Sequence, residues 1–268
     1  MPYGETRKEL RASIVVPTWN ESQWLPGLLG NLQSLGWASE IIVADNNSSD
    51  GTQQIALMYR CRLIEGGSPA QARNKGARHA MHELIIFMDA DAAARRSVFD
   101  RVFEAFAKDT SIVAVHFPLL PIGGTLFIRA CYRFMNGYIG TLSRLGIAQG
   151  VGTFIAVRRS AFESIGGFDE HLMAGEDADL LRRLQKTGHV RYERSEKVGT
   201  STRRFRIENP IAFAIKTATW GILRLLGLRF SPWGYRWMPY PVEIGARDRR
   251  MYSRFLMKNE GSDDVQCE

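Results

Sequence analysis

Through the first ninety residues, short apolar runs alternate with longer segments whose hydrophobic positions recur at helical spacing. ASIVVP (12–17), EIIVAD (40–45), CRLIE (61–65) and ELIIFMD (83–89) are brief and rich in Ile and Val, the pattern of buried strands. Between them the pattern predicts helices near 24–35, 51–60 and 69–82. The third opens with Ser68 as N-cap and Pro69 at the first helical position. A further helix is expected after Ser97, through Phe99, Val102, Phe103 and Phe106. Strand–helix alternation implies an α/β fold: a Rossmann-like, mostly parallel sheet with helices on both faces. In such a sheet ligands bind outside the carboxyl ends of the strands. Three of the strands run into polar loops, PTWNES (17–22), ADNNSSDGT (44–52) and DADA (89–92), which parallel strands would bring to one edge.

After residue 115 the pattern changes. FPLLPIGGTLF is apolar but broken by Pro and Gly, and 128–146 is a basic, aromatic amphipathic stretch. GTFIAVRRSAFESIGGF predicts a strand, a short helix and a glycine turn, and GEDADLLRRLQKTGHVRYE a helix and then a strand. A second basic amphipathic stretch runs from Asn209 to about Phe230, before a polar tail, KNEGSDDVQCE, of disordered composition.

With 45% hydrophobic residues, the 268-residue chain can bury a substantial core, which excludes a disordered protein. A formal charge of +7 points to an anionic partner such as a nucleotide or an acidic membrane. Three widely spaced cysteines, Cys61, Cys131 and Cys267, indicate neither a disulfide framework nor a zinc site and fit a reducing compartment. The opening MPYGETRKELRAS has no apolar signal region, and no run reaches the roughly 18–20 apolar residues of a membrane span. A cytoplasmic location is therefore expected.

The candidate chemistry lies in the loops. Asp89 and Asp91 end a buried strand one residue apart, and carboxylates that close repel unless a cation or a shared proton relieves them. They suit a hard divalent cation completed by water and substrate phosphates, Mn2+ or Mg2+. Asp45, Asn46 and Asn47 offer hydrogen bonds to a base edge or ribose, though the Asp50-Gly51 turn alone explains such a loop. GGSPAQARNKGARHA sets a helix N-terminus beside Arg73, Lys75 and Arg78, able to hold phosphate, but lacks both the G-x-G-x-x-G spacing and a Walker A loop. In AGEDADLLRRL (174–184) Asp177 shares a helix face with Leu180, Leu181 and Leu184. An acid opening a face that ought to be buried is either an N-terminal helix charge or a general base aimed into a cleft.

Taken in order, VVPTWNES, IIVADNNSSDGT, SPAQARNKGA, FMDADA, GGFDE and GEDADLLRRL resemble the family 2 glycosyltransferases with the GT-A nucleotide-sugar fold. The likeness spans roughly residues 12–190. It implies inverting transfer of a sugar from a nucleoside-diphosphate donor. It further implies that Asp91, with Asp89, holds the metal and diphosphate and that Asp177 is the catalytic base. Pro17, Thr18, Glu21, Asp45 and Asn46 would line the nucleoside pocket, with Arg73 a basic contact near the diphosphate. Asn46 stands where many relatives carry a second Asp, which leaves uridine and guanosine both open. The expected organisation is a nucleotide-sugar-binding half (1–115), an acceptor-binding half of the same domain (116–205), and an amphipathic C-terminal region and tail (206–268).

Two basic amphipathic stretches bear on the acceptor. Arg129, Arg133 and Arg144 lie among Tyr132, Phe134, Tyr138 and Leu142, and Lys216, Trp220 and Arg224 form a stripe beside an apolar face in 211–226. Such helices either pack on the core or lie in a membrane interface. The second case would suit a polyprenyl lipid or membrane-linked glycan acceptor, with the protein held peripherally at the inner face of the membrane. STRRFR (201–206) would then bring Arg203 or Arg204 near a phosphate. A pyrophosphorylase-like nucleotidyltransferase would carry a glycine- and basic-rich loop after the first strand, and PTWNES has neither. An inactive nucleotide-sugar-binding protein is the non-enzymatic alternative. No nucleic-acid-binding motif accompanies the charge.

Overall fold

The computed structural model describes residues 11–36, 40–172, 174–209 and 245–257, with isolated positions between 211 and 228. In chain order the strands are β1 (Ala12–Thr18), β2 (Glu40–Asp45), β3 (Arg62–Glu65), β4 (Leu84–Met88), β5 (Ala92–Ala93), β6 (Ile112–His116), β7 (Leu119–Ile122), β8 (Phe154–Arg158), β9 (His189–Tyr192) and β10 (Val198–Ser201). The helices are α1 (Leu25–Ser34), α2 (Thr52–Met58), α3 (Pro69–His79), α4 (Arg96–Lys108), α5 (Leu126–Arg144), α6 (Arg159–Ser164), α7 (Glu176–Gln185) and α8 (Ala246–Met257). A 3-10 turn covers Arg203–Arg206.

Seven strands form one sheet in the order β3-β2-β1-β4-β8-β6-β9. All are parallel except β8, which runs antiparallel to both β4 and β6. The expected parallel sheet is therefore interrupted once, and β6 was not foreseen. Alternate residues of each strand face opposite layers. Ile14, Val16 and Ile86 pack with Leu25, Leu28, Leu29 and Leu32 of α1 and with Phe99, Val102 and Phe106 of α4. Val15, Ile42, Ile85 and Phe87 pack on the other side with Ala70 and Ala77 of α3, Phe162 of α6, and Leu180, Leu181 and Leu184 of α7. Burying each such leucine contributes about 1.5–3 kcal/mol, which is why helix spacing and strand runs together set the layering. α3 lies so close to β1 that a Cβ at Gly76 would stand 2.2 Å from Val15 Cγ1.

The start of α3 follows its sequence. Ser68 Oγ accepts from the Gln71 amide and Gln71 Oε1 accepts from the Ser68 amide, a capping box with Pro69 just inside the helix. α4 begins at Arg96, one residue before Ser97. A second, three-stranded sheet, β5-β10-β7, has no counterpart in the sequence pattern. It pairs Thr200 with Ala92 and Gly199 with Ala93, so the end of β10 arrives beside the Asp89–Asp91 loop. α8 seals this corner: Tyr252 and Phe255 pack with Trp24, Ala93 and Ile122, and the Tyr252 hydroxyl donates to the Ala92 carbonyl.

No described helix is long and apolar enough to cross a membrane. Most of the stretch expected to be amphipathic near 211–226, and the polar tail, lie outside the described residues.

Candidate active site

β1, β2 and β4 run parallel and in neighbouring positions, so their three polar loops meet at one edge of the sheet. The register places Pro17 opposite Ala44 and Thr18 opposite Asp45. Asp45 is buried, and its carboxylate accepts from Thr18 Oγ1 (2.8 Å), the Ser48 amide (2.8 Å), Ser48 Oγ (2.5 Å) and Gln53 Nε2 (2.7 Å). Four donors fill the acceptor capacity of a carboxylate. The half-buried Asn46 is held by its amide, which donates to the Thr18 carbonyl at 2.9 Å. Beside Asp45 opens a cavity of about 320 Å3, lined by Asp45, Asn47, Gln53, Leu63, Ile64 and Glu65. Just beyond Glu65, Gly66 packs closely on the end of β2, since a Cβ there would lie 2.7 Å from the Ala44 carbonyl oxygen.

The other candidates form two ion-paired clusters. Arg73, projected from the buried side of α3, donates to Asp89 Oδ1 at 2.8 Å and to Glu176 Oε1 at 3.1 Å, and lies over the Phe168 ring. It thereby ties the end of β4 to the start of α7. Arg203 holds both oxygens of Glu21 at 2.6 Å, brings its Nε to 3.0 Å from Asp91 Oδ2, and lies 5.4 Å from the Trp24 ring centroid. Ser201 also donates to Asp91. Two expectations therefore shift. The Glu21 carboxylate is spent on Arg203, which anchors the C-terminal 3-10 turn, and the Arg73 guanidinium is spent on two carboxylates of the chain itself. Desolvation explains both, because a charge taken out of water must find a partner.

Asp177 stands in the first turn of α7. The helix is capped by Gly175 in the left-handed conformation (φ 74°), with no side-chain cap, so capping does not account for the acid. Its Oδ2 accepts from the Gly152 amide at 2.5 Å and its Oδ1 from the Ala178 amide at 2.9 Å. Leu180, Leu181 and Leu184 below it are fully buried. A Cβ at Gly152 would lie 3.0 Å from Arg73 Nη2 and 3.3 Å from Asp177 Oδ2, so the loop carrying Gly152 leaves room for both.

Burial dominates the electrostatics. It pushes Asp177 up to about 7, helped by the Glu176 carboxylate and opposed by Arg73. It also raises Asp89 against the pull of Arg73, and raises Glu21 to about 7 against the pull of Arg203. Asp89 and Asp91, one residue apart and each already drawn to a cation, form a donor set suited to a hard divalent ion. No group of three or more His, Cys, Asp or Glu able to hold a metal occurs among the described residues, so phosphate oxygens or water would complete the shell.

Gly152, Ser201 and Glu176 were not singled out as site residues by sequence. Gly152 contributes only a backbone N–H, and Ser201 reaches Asp91 through a strand pairing with no local signature. Asn74 is a fourth omission: it bonds Phe168 in both directions and donates to Glu170 Oε1, pinning the GGFDE loop to α3.

The family model described as "Glycosyl transferase family 2" matches residues 13–166. Glycosyltransferase AglE of Haloferax volcanii is 29% identical over 193 residues, 66% of this chain and 62% of that protein. The O-antigen chain rhamnosyltransferase WbaN of Salmonella anatum is 26% identical over 66% of this chain and 61% of its own length. The chain thus spans about three fifths of these relatives. Among solved structures, the mannosyltransferase PcManGT of Pyrobaculum calidifontis, in complex with GDP-Man and Mn2+, superposes with a TM-score of 0.64 at 20% identity, covering 84% of this chain and 67% of that one. Glucosyl-3-phosphoglycerate synthase of Mycobacterium tuberculosis, with Mn2+ and UDP, gives 0.58 at 16% identity, covering 84% and 83%. The fold is that of the GT-A glycosyltransferases, and the chain belongs to glycosyl transferase family 2.

Proposed function

We propose that this protein transfers a sugar from a nucleoside-diphosphate donor to an acceptor, with inversion at the anomeric carbon and with help from Mn2+ or Mg2+. The observation that carries the reading is the Asp89–Arg73–Glu176 bridge, which gathers the β4 carboxylates and the Asp177 region into one site. In it Asp45, whose oxygens are taken by Thr18, Ser48 and Gln53, shapes the wall of the nucleoside pocket with Pro17, Thr18 and Asn46, and the adjoining cavity receives the base. Asp89 and Asp91 hold the divalent ion, which supplies Lewis-acid stabilisation of the leaving diphosphate. Asp177 accepts the proton of the attacking hydroxyl. Its burial suits that task, because a base works best with a pKa near the operating pH. The Gly152 amide fixes the carboxylate in orientation. An anionic lipid phosphate as acceptor would need Asp177 far less.

The acceptor reading rests on α5. Leu126, Phe127, Phe134 and Leu145 at its C-cap are exposed, with Arg133 and Arg144 on the same exposed side and no acidic residue anywhere in the helix. A basic, aromatic face suits an anionic membrane surface, and with it a polyprenyl-linked or membrane-bound glycan acceptor met at the inner face of the membrane. Nucleic acid is not among the proposed partners.

A thermal-shift screen of nucleoside diphosphates and their sugars, with and without Mn2+ or Mg2+, tests the donor assignment. At 100 times its dissociation constant, a ligand specific for the native state adds about 2.7 kcal/mol of apparent stability. A metal-dependent shift with a sugar nucleotide is the expected result; no shift with any of them would remove the reading.

A further inference from the structure

The Asp91 site holds a cation of its own. Arg203 reaches it from the 3-10 turn after β10, with Nε 3.0 Å from Asp91 Oδ2 and both Nη atoms on Glu21. Its side chain is 10% exposed, and those of Glu21 and Asp91 are 12% and 13%, so the three charges meet with little water between them. Trp24 lies against the guanidinium, and Ser201, on the strand that leads into the turn, donates to the same Asp91 carboxylate. A divalent ion bound through Asp91 would therefore arrive beside a fixed positive charge. Like charges in a poorly solvated pocket oppose each other strongly. A nucleoside diphosphate reverses the balance, because its phosphate oxygens ligate the ion and offer the guanidinium an anionic partner in place of Asp91.

We propose that Arg203 is a positioning residue that occupies the Asp91 carboxylate until donor arrives, making the divalent ion and the nucleoside diphosphate bind together rather than in succession. This rests on the assignment of Asp91 to the metal under the proposed function. Arg203 pairs directly with Asp91 and Glu21, and its charge is also felt at Asp89, so its effect falls on the carboxylates assigned to the cation. Linkage makes the effect reciprocal: the factor by which the diphosphate raises Mn2+ affinity is the factor by which Mn2+ raises diphosphate affinity.

The test is direct titration of Mn2+, followed by electron paramagnetic resonance of the free ion, with and without UDP or GDP. The proteins are wild type, Arg203→Gln, Arg203→Lys, Glu21→Gln, the double variant Glu21→Gln/Arg203→Gln, and Asp91→Asn, which shows how much of the wild-type Mn2+ binding depends on Asp91. Arg203→Gln should bind Mn2+ alone more tightly than wild type, and the enhancement of Mn2+ binding by the diphosphate should shrink, within the roughly 5–150-fold range of ordinary coupling. Arg203→Lys, which keeps the charge, should stay near wild type. The double variant, compared with Glu21→Gln, gives the same answer without leaving a buried carboxylate unpaired, should the single variant fold poorly. A purely structural role for Arg203 predicts the opposite sign, weaker Mn2+ binding on its removal. Equal or weaker Mn2+ affinity in both Arg203→Gln backgrounds, with Asp91-dependent Mn2+ binding intact in wild type, overturns the proposal alone. Loss of any Asp91-dependent Mn2+ binding in wild type with diphosphate overturns the metal assignment as well.

Discussion

Replacing Arg73 by Met removes a side chain that joins the Asp89 loop to α7. Its side chain is 5% exposed and makes charge-assisted bonds of 2.8 Å and 3.1 Å to Asp89 and Glu176. Such bonds contribute about 1.5–3 kcal/mol each. Asp89 is half-buried, its side chain 32% exposed, so its share is partly screened and the sum falls to about 3 kcal/mol. In a chain of this size that corresponds to a melting temperature lower by about 6–12 °C. A second effect concerns Asp177, since Arg73 is the cation that holds its pKa down. Without Arg73 the Asp177 pKa rises further, and the acid limb of the pH–rate profile moves to higher pH. Arg73→Lys keeps the charge but not the fork that spans both carboxylates, and should fall between the two. Differential scanning fluorimetry and a pH profile of donor turnover read both effects. A Met variant that melts with wild type and keeps its acid limb would refute the bridge.

Two further variants test the same geometry. Asp177→Asn should keep donor binding while transfer to a hydroxyl acceptor drops by on the order of 10²–10⁴, measured as turnover against donor dissociation constant; wild-type activity should rise with pH through about 7, a limb the variant lacks. Because that raised pKa lets the folded chain hold the proton more tightly than the unfolded one, its contribution to stability is full below 3.8 and lost as pH rises through about 7, and Asp177→Asn should flatten that part of a melting-temperature profile. Gly76→Ala drives a Cβ to 2.2 Å from Val15 Cγ1 and should destabilise the fold by about 1–3 kcal/mol in urea titration, since α3 can yield only by leaving the sheet.

β1, β2 and β4 of the large sheet are legible because each is a short apolar run, rich in Ile or Val and almost wholly buried, and Ser68 and Pro69 announce α3 by local capping chemistry. Asp177 is legible because an acid on a leucine face violates the helical pattern. The small sheet is not legible. β5 is two residues long, β7 contains Pro121 and β10 contains Gly199, so none of the three carries a strand-like run. The Glu21–Arg203 pair joins positions 182 residues apart, and its existence depends on the small sheet and on α8 at its back. Sequence places a basic turn at 201–206 but gives no sign of which carboxylates it meets. Arg73 is a milder case: its residue type suggests phosphate, while burial within the fold assigns it to Asp89 and Glu176.

The central claim is that Asp89 and Asp91 form the cation and diphosphate site of a sugar-nucleotide enzyme. Isothermal titration of UDP- and GDP-sugars into wild type and Asp91→Asn, each with and without Mn2+, tests it most directly. The account predicts Mn2+-dependent binding of one sugar nucleotide to wild type, and loss of that dependence in an Asp91→Asn variant that still melts cooperatively. Unchanged Mn2+-dependent binding in the folded variant would contradict it.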